Sequence, residues 1–325
     1  MIQNAEDNQY TKATTAKEDP FLTFTLHPSK IVVDSNEDGF NEANVKAIYS
    51  TSQSTKTNAQ GYIGEKGIGF KSVFKIASKV HIQSEPFSFA FEHKFGDSGL
   101  GMVTPLLDEF EELPSGIRSR ISLTLSPSSD FAELVKDFED LPDSLLIFLS
   151  KLKSITINVM DASNELVSET VYGYKYSSDN HRGTLTKRRS IEGKQNQSAQ
   201  HFHITKRTLR KLPTDAARPK TDQAEVVLAF PLDEKSLPII EQQHVFAYLP
   251  VRRVGFNVSN PHLSAEIQKL KRSSSKFSPI SSLRLVEKIL STRRGILLSA
   301  TGLLKHSEMR CYSSVSSLTT SDFSG

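Results

Sequence analysis

Several short segments of the chain alternate apolar and polar residues, the pattern typical of strands with one buried face. Residues 22–26 and 30–34 alternate in this way on either side of the triplet at 27–29, so they predict a β-hairpin. The same pattern predicts strands at 80–82, 87–91, 119–125 and 154–160, and antiparallel strands between 163 and 206. Nearly continuous apolar runs predict fully buried strands at 224–230 and 245–251.

Other segments have the apolar spacing of helices. Residues 1–9 are predicted to be helical, with Asn4, Asp7 and Asn8 on one face. Asn41 is a predicted N-cap of a following helix, because its side chain can accept a hydrogen bond from a free backbone N–H. Further helices are predicted at 70–76 and, with a break at Pro142, within 129–152. Polar loops are predicted at 10–20, 51–63 and 93–116.

Composition divides the chain into a packed part and a looser part. Its 325 residues are enough for about two domains, and a hydrophobic content of 37% is low for a chain that is globular throughout. Serine is over-used from residue 259 onwards and no long strand pattern persists there. Residues 259–325 are therefore predicted to form a largely disordered tail.

Charge and cysteine content exclude several classes of protein. A net charge of +3 is too mild to indicate nucleic acid as the main partner. The single cysteine, Cys311, cannot form a disulfide within the chain or a thiolate metal cluster. No apolar run approaches the roughly 20 residues of a membrane helix, and the N-terminus lacks a signal-peptide pattern. We therefore expect an intracellular protein, cytoplasmic or nuclear, with no membrane partner.

Two short polar motifs have both a structural and a functional interpretation. His201 and His203 are spaced to share one face of a strand, where a solvated face is favoured over a metal site. The basic run at 187–189 is interpreted as a solvated hairpin tip rather than a nuclear localisation or acidic-partner site.

The glycine segment at 64–70 is the strongest chemical signal in the chain. Its glycines, Gly64, Gly67 and Gly69, allow backbone N–H groups to approach a phosphate without a Cβ clash. A Walker A loop requires lysine where Phe70 stands, and a dinucleotide fold requires GxGxxG rather than GxxGxG. A glycine lid that leads into a helix N-terminus remains, and a simple glycine turn is its structural alternative.

Flanking segments occur in a specific order around these glycines. The tetrapeptide at 4–7 resembles the second half of an E-x-x-x-N-A-x-D box, residues 34–40 an adenine-binding box, and 119–123 a final box with a hydroxyl group. Together with the glycine segment, they resemble the ATP-binding motifs of the GHKL (Bergerat-fold, histidine-kinase-like) ATPase superfamily. The similarity is greatest to its sacsin and Nov-like group and covers about residues 1–257, including the segments at 2–8, 36–40, 61–74 and 246–256.

This resemblance implies an α/β fold, a two-layer Bergerat-fold sandwich in which helices cover a mixed β-sheet. A second α/β module and the tail would follow. The implied domains are a histidine-kinase-like ATP-binding domain at 1–128, linking helices at 129–152, the second module at 153–258 and the tail at 259–325.

The resemblance also implies ATP and Mg²⁺ as cofactors. Asn4 is the implied Mg²⁺ ligand. The implied ATP-binding residues are Asn4, Asp7, Ser35, Asn36, Gly39, Lys56, Gly64, Gly67, Ile68, Gly69, Phe70, Lys71 and Ser119.

The chain departs from the family pattern in two places. The general-base glutamate, four residues before Asn4, would stand one position before Met1, so we expect an N-terminally truncated copy that binds ATP but hydrolyses it weakly or not at all. The usual adenine-binding aspartate aligns with Ser35, flanked by Asp34 and Asn36, and any of the three can serve. The alternative is an interaction or scaffold module, or a non-functional product, that binds no nucleotide; protein partners are possible in each case.

Overall fold

In the computed structural model the chain is a mixed α/β protein in which a sheet of 11 strands dominates and helices are few. The predicted α/β class and mixed sheet are confirmed at this level. The structure describes residues 1–53, 72–92, 105–179, 181–210, 223–237, 239, 243–247, 249–254 and 310–311. No helix among these residues is long and apolar enough to cross a membrane.

The described chain contains four α-helices, two 3-10 helices and fourteen strands. The α-helices are α1 (Ile2–Asp7), α2 (Thr11–Thr15), α3 (Glu42–Gln53) and α4 (Phe131–Glu139). The 3-10 helices are Ser72–Lys75 and Asp143–Phe148. The first seven strands are β1 (Phe21–His27), β2 (Lys30–Ser35), β3 (Ala77–Ser84), β4 (Phe87–Glu92), β5 (Leu106–Leu107), β6 (Ser119–Leu125) and β7 (Ser154–Met160). The remainder are β8 (Leu166–Ser177), β9 (Arg182–Ile191), β10 (Lys194–Arg210), β11 (Gln223–Leu232), β12 (Gln243–Ala247), β13 (Leu249–Val254) and β14 (Arg310–Cys311).

The chain divides into two compact units, and β8, β9 and β10 contribute residues to both. Unit 1 comprises Met1–Leu141, Ser150–Gly173 and Lys187–Gln197. Unit 2 comprises Pro142–Leu149, Tyr174–Thr186 and Ser198–Gly325.

Unit 1 contains the strands that carry the candidate site. Its neighbouring strands follow the order β8-β7-β1-β2-β6-β3-β4-β5. The predicted hairpin of β1 and β2 is confirmed, with His27 opposite Lys30 beside the turn. β7 pairs in parallel with β1, whereas β6 runs antiparallel to both β2 and β3, so the sheet is mixed.

Two helices of unit 1 show why their sequences form helices at these places. Asn41 caps α3 as predicted, because its Oδ1 accepts from the backbone N–H of Asn44 at 2.9 Å. In return, the Asn44 Oδ1 accepts from the backbone N–H of Asn41 at 2.9 Å. At α4, the Asp130 carboxylate accepts from the backbone N–H groups of Ala132 and Glu133. The Phe138 ring of α4 packs against Phe24 of β1 with ring centroids 5.0 Å apart, which places α4 against the sheet.

The polar loop predicted at 10–20 is wrong in part, because residues 11–15 form helix α2. The carboxylate of Asp38, distant in sequence, accepts from the backbone N–H groups of Thr11 and Lys12 at 2.9 and 2.7 Å. It therefore satisfies donors at the start of a helix whose own N-cap, Tyr10, makes no side-chain cap bond. Five helical residues are too few to be stable without such outside support.

Two predictions for the second half of the chain are also corrected. The apolar run at 245–251 is two antiparallel strands, β12 and β13, with Ala247 opposite Leu249. The basic run at 187–189 lies within β9, whereas the hairpin tip is at Glu192 and Gly193, both with positive φ. A chain reversal inside an apolar run leaves no trace in its hydrophobic period, and cations in mid-strand need partners that sequence does not show.

Those partners are present in unit 1. Arg188 forms an ion pair with Glu169 at 3.2 Å, and Arg189 forms one with Glu139 of α4. The Lys187 ammonium group lies 5.2 Å from the centre of the Tyr172 ring. Because the side chains of a strand point alternately to its two faces, the run is divided between both sides of the sheet.

The histidine pair lies on β10 as expected, but its two members differ in environment. His201 is exposed, whereas His203 is 4% exposed, so the predicted solvated face is wrong for His203. Burial, with smaller contributions from His181 and Arg182, lowers the pKa of His203 to about 4. No group of three or more metal-ligating side chains occurs among the described residues.

His203 should make the stability of the fold depend on pH. Its folded pKa of about 4 lies below its ordinary 6.5, so the unfolded chain binds the extra proton first as pH falls. We expect the wild-type free energy of unfolding to decrease by about 3 kcal/mol between pH 6.5 and 4 from this group. Urea denaturation across that range should show that the free energy of unfolding depends less on pH in His203→Gln than in wild type. His201→Gln, at the exposed neighbour, is the control and should keep the pH dependence of wild type. An equal pH dependence in all three proteins would contradict the assignment.

Candidate functional site

Three serines form a row across adjacent strands at one end of the sheet. Ser119 of β6 lies opposite Ser35 of β2 on one side and opposite Ser84 of β3 on the other. All three are buried, with at most 6% of their surface exposed. The Oγ atoms of Ser84 and Ser119 are 2.6 Å apart, so one hydroxyl donates to the other. The sheet register therefore supplies a line of hydroxyl groups inside unit 1.

Glu37 places a carboxylate beside this row. It follows β2 in the turn at 36–40 and is 4% exposed. The side-chain amide of Asn8 donates to its Oε2, and the Ser119 hydroxyl lies close enough to affect the carboxylate electrostatically. Burial raises the pKa of Glu37, the Ser119 hydroxyl lowers it by less, and the nearby negative charge of Asp38 raises it further.

The turn depends on Gly39. Gly39 has a φ of +87°, a conformation that residues with a Cβ rarely adopt. A Cβ there would also lie 3.3 Å from the Ser84 Oγ, the atom that accepts from the backbone N–H of Phe40 at 2.8 Å. The glycine therefore allows the turn to close over Ser84 and hold Glu37 next to the serines.

The two residues that flank Ser35 are engaged elsewhere. The Asp34 carboxylate forms a two-pronged ion pair with the Arg120 guanidinium at 2.7 and 2.9 Å. Asn36 is fully buried, and its side chain bonds to the backbone at the start of β1. Its Oδ1 accepts from the Phe21 N–H, and its side-chain amide donates to the Asp19 carbonyl. Ser35 accepts from the Glu37 N–H at 3.2 Å and stays in the row.

Helix α1 leads directly to the cluster. Asn4 on this helix is exposed and Asp7 is partly exposed. The buried Tyr10 hydroxyl donates to the Ala5 carbonyl at 2.9 Å and lies 3.4 Å from the Ser35 Oγ. Burial raises the pKa of Tyr10, which keeps its phenol neutral. The end of α1 is thus tied to the serine row through Tyr10 and to Glu37 through Asn8.

The structure brings together only part of the predicted site. Ser35, Gly39 and Ser119 meet around Glu37, whereas the Asn36 side chain is turned toward β1. Asn4 and Asp7 lie on α1, and the remaining predicted ATP-binding residues lie outside the described residues: Lys56, Gly64, Gly67, Ile68, Gly69, Phe70 and Lys71.

Sequence reasoning missed four members of the cluster. Glu37 and Asn8 lie within segments that resemble the family motifs, and that position in the sequence could have marked them as candidate site residues. The sequence around Ser84 and Tyr10 gives no indication of a role in the cluster. Ser84 reaches it because β3 pairs with β6, and Tyr10 because the chain after α1 passes beside Ser35.

The raised pKa of Glu37 gives a second pH-dependent component of stability. The folded chain holds this proton at pH values where the unfolded chain, with an ordinary pKa of 4.5, has released it. The free energy of unfolding should therefore fall as pH rises from 4.5 through the raised pKa. Glu37→Gln removes this component, so urea denaturation should show wild type losing stability relative to the variant with rising pH. The exposed Glu112→Gln control should follow wild type; a Glu37→Gln profile parallel to wild type would contradict the assignment.

Comparison with known proteins finds a similarity of substantial length. The chain is 31% identical to Protein NO VEIN of Arabidopsis thaliana over 285 residues, which is 78% of this chain. No protein-family model matches the chain. The chain spans about 9% of the length of that relative. It is therefore similar to a small part of a much longer protein.

Proposed function

We propose that this chain binds Mg²⁺-ATP as a member of the GHKL superfamily, with Glu37 as the group that recognises adenine. The observation that carries the proposal is the buried Glu37 carboxylate, held among hydroxyl groups in the turn that resembles the adenine box.

The chemistry of Glu37 suits the exocyclic amine of adenine. A carboxylate has about four lone-pair positions, and the hydrogen bond from Asn8 leaves capacity for a further donor. The Asn8 bond also restricts the orientation of the carboxylate. Because the group is buried, a bond from the base is stronger than it would be in water. Glu37 thus takes the role for which sequence alone left Asp34, Ser35 and Asn36 open.

The glycine segment and α1 would bind the phosphates and Mg²⁺. Gly64, Gly67 and Gly69 would present backbone N–H groups to the phosphates, with Lys56 and Lys71 as cationic partners. Asn4, on the exposed part of α1, would contribute an oxygen ligand to Mg²⁺. The proposed two-layer Bergerat sandwich has support from the packing of Phe138 on Phe24, which places one helix against the sheet.

A second candidate function is a protein-interaction module that binds no nucleotide. It is favoured by one observation in unit 1: Leu106, Leu107 and Phe110, on and after β5, are 51, 96 and 63% exposed. Three large apolar side chains exposed within five residues are more typical of a contact surface than isolated ones. Nucleotide titration distinguishes this candidate from the first.

Isothermal titration calorimetry with Mg²⁺-ATP and Mg²⁺-ITP tests the assignment of Glu37. Wild type should bind ATP saturably and prefer it to ITP, because inosine presents a carbonyl oxygen where adenine presents its amine. Glu37→Ala should weaken ATP binding about 10- to 100-fold, the effect of losing a hydrogen bond to a charged group. Glu37→Gln should narrow the preference for ATP over ITP, because an amide can either accept or donate.

Two further variants control this experiment. Glu112→Ala removes an exposed carboxylate and should bind ATP as wild type does. Gly67→Val introduces a Cβ into the glycine segment and should abolish binding. A folded wild-type protein that gives no binding heat with ATP would overturn the proposed function and favour the interaction module. ATP binding that Glu37→Ala leaves unchanged would overturn the role of Glu37 alone.

A further inference from the structure

Glu6 is a second buried glutamate, and backbone amides surround it. It lies on α1 and is 2% exposed. Its Oε1 accepts from the N–H groups of Ser150 and Lys151, and its Oε2 accepts from those of Lys151 and Leu152. The Lys151 and Leu152 bonds to Oε2 measure 3.2 and 3.1 Å. Three successive amides therefore hold one carboxylate.

Lys151 completes the attachment from the other side. Its Nζ donates to the carbonyl oxygens of Asp7 and Asn8 at 3.1 and 2.7 Å. These carbonyls stand at the C-terminus of α1, where the helix has unsatisfied acceptors and a partial negative charge. We call Glu6 and Lys151, with the amides at 150–152, the α1 clamp.

Helix α1 needs this clamp because it is short. It has six residues, and Met1 before it makes no side-chain cap bond. Such a helix is not stable by itself in water, so its contacts fix its position. It carries Asn4 and Asp7 and leads to Asn8, which donates to Glu37. The clamp thus fixes the element that bears the proposed nucleotide-facing residues.

The clamp lies at a junction of the chain. Ser150 is the residue at which the chain re-enters unit 1 after Pro142–Leu149, which belong to unit 2. Beyond the clamp, the N–H of Lys153 donates to the Pro20 carbonyl at 2.8 Å, and β7 begins at Ser154. In the sequence, the segment held by Glu6 therefore lies between the unit 2 residues Pro142–Leu149 and strand β7 of unit 1.

We infer that Glu6 and Lys151 are positioning residues that couple nucleotide binding on α1 to the junction at 150–152. This inference rests on the proposed function. Nucleotide bound to α1 fixes the helix and so holds the Glu6 carboxylate against the three amides. Conversely, when the segment at 150–152 moves away from Glu6, α1 loses these hydrogen bonds and is released. By linkage, each event changes the equilibrium of the other by the same factor.

Hydrogen–deuterium exchange with and without saturating Mg²⁺-ATP tests the coupling in the wild-type protein. ATP should slow exchange of the amides of Ser150, Lys151 and Leu152, the donors to Glu6. Lys151→Met removes the ammonium group but keeps the backbone amide and most of the stem. It should weaken ATP binding about tenfold, within the usual range of such couplings, and reduce the ATP-dependent protection. Glu6→Gln places an amide NH₂ among donors and should have the same effects more strongly.

Matched variants on α4 separate coupling from general loss of charge. Glu133→Gln and Lys136→Met should keep wild-type affinity and protection. If Glu6→Gln fails to fold, the wild-type exchange and Lys151→Met still decide the matter. ATP binding with unchanged exchange at 150–152, or wild-type affinity in Lys151→Met, would overturn the coupling while leaving the proposed function intact. Absence of ATP binding to folded wild type would overturn both.

Discussion

Strand β6 pairs with β2 on one side and β3 on the other, and the candidate site depends on this placement. Without it Ser119 would not stand between Ser35 and Ser84, and Glu37 would lose the nearby hydroxyl that lowers its pKa. The pairing also sets Arg120 opposite Asp34, so the two form their ion pair across the strands. One strand register thus determines which polar groups meet inside unit 1.

The two glutamates that are buried in the described part of unit 1 are held by donors from distant parts of the chain. An isolated carboxylate is costly to bury, so each needs hydrogen bonds wherever it is enclosed. Glu37 receives a hydrogen bond from the side-chain amide of Asn8, whereas Glu6 receives the backbone amides at 150–152. Both groups of contacts include the end of α1 or the helix itself. A six-residue helix consequently connects the candidate adenine site with the junction before β7.

Much of the framework was predictable because it depends on local preferences. The β1–β2 hairpin follows from two alternating segments around a proline turn, and the start of α3 follows from Asn41 as its cap. Motif order grouped Ser35, Gly39 and Ser119, and these three residues lie close together in the structure. Ser84 was not predictable, because nothing near it in sequence indicates which strand lies beside β6. Helix α2 was missed for the same reason, since its N-terminal donors are satisfied by Asp38, distant in sequence.

The sequence by itself determined the alternation of strands, the helix caps and the glycine required at the φ > 0 turn, because these depend on neighbours a few residues apart. Only the tertiary structure decided that His203 is buried while His201 is exposed, that the basic run at 187–189 is paired, and that Glu37 is the carboxylate of the cluster. The physical reason is that burial and charge pairing depend on which distant segments pack together. Strand register and chain reversal set that packing, and neither leaves a mark in the local pattern.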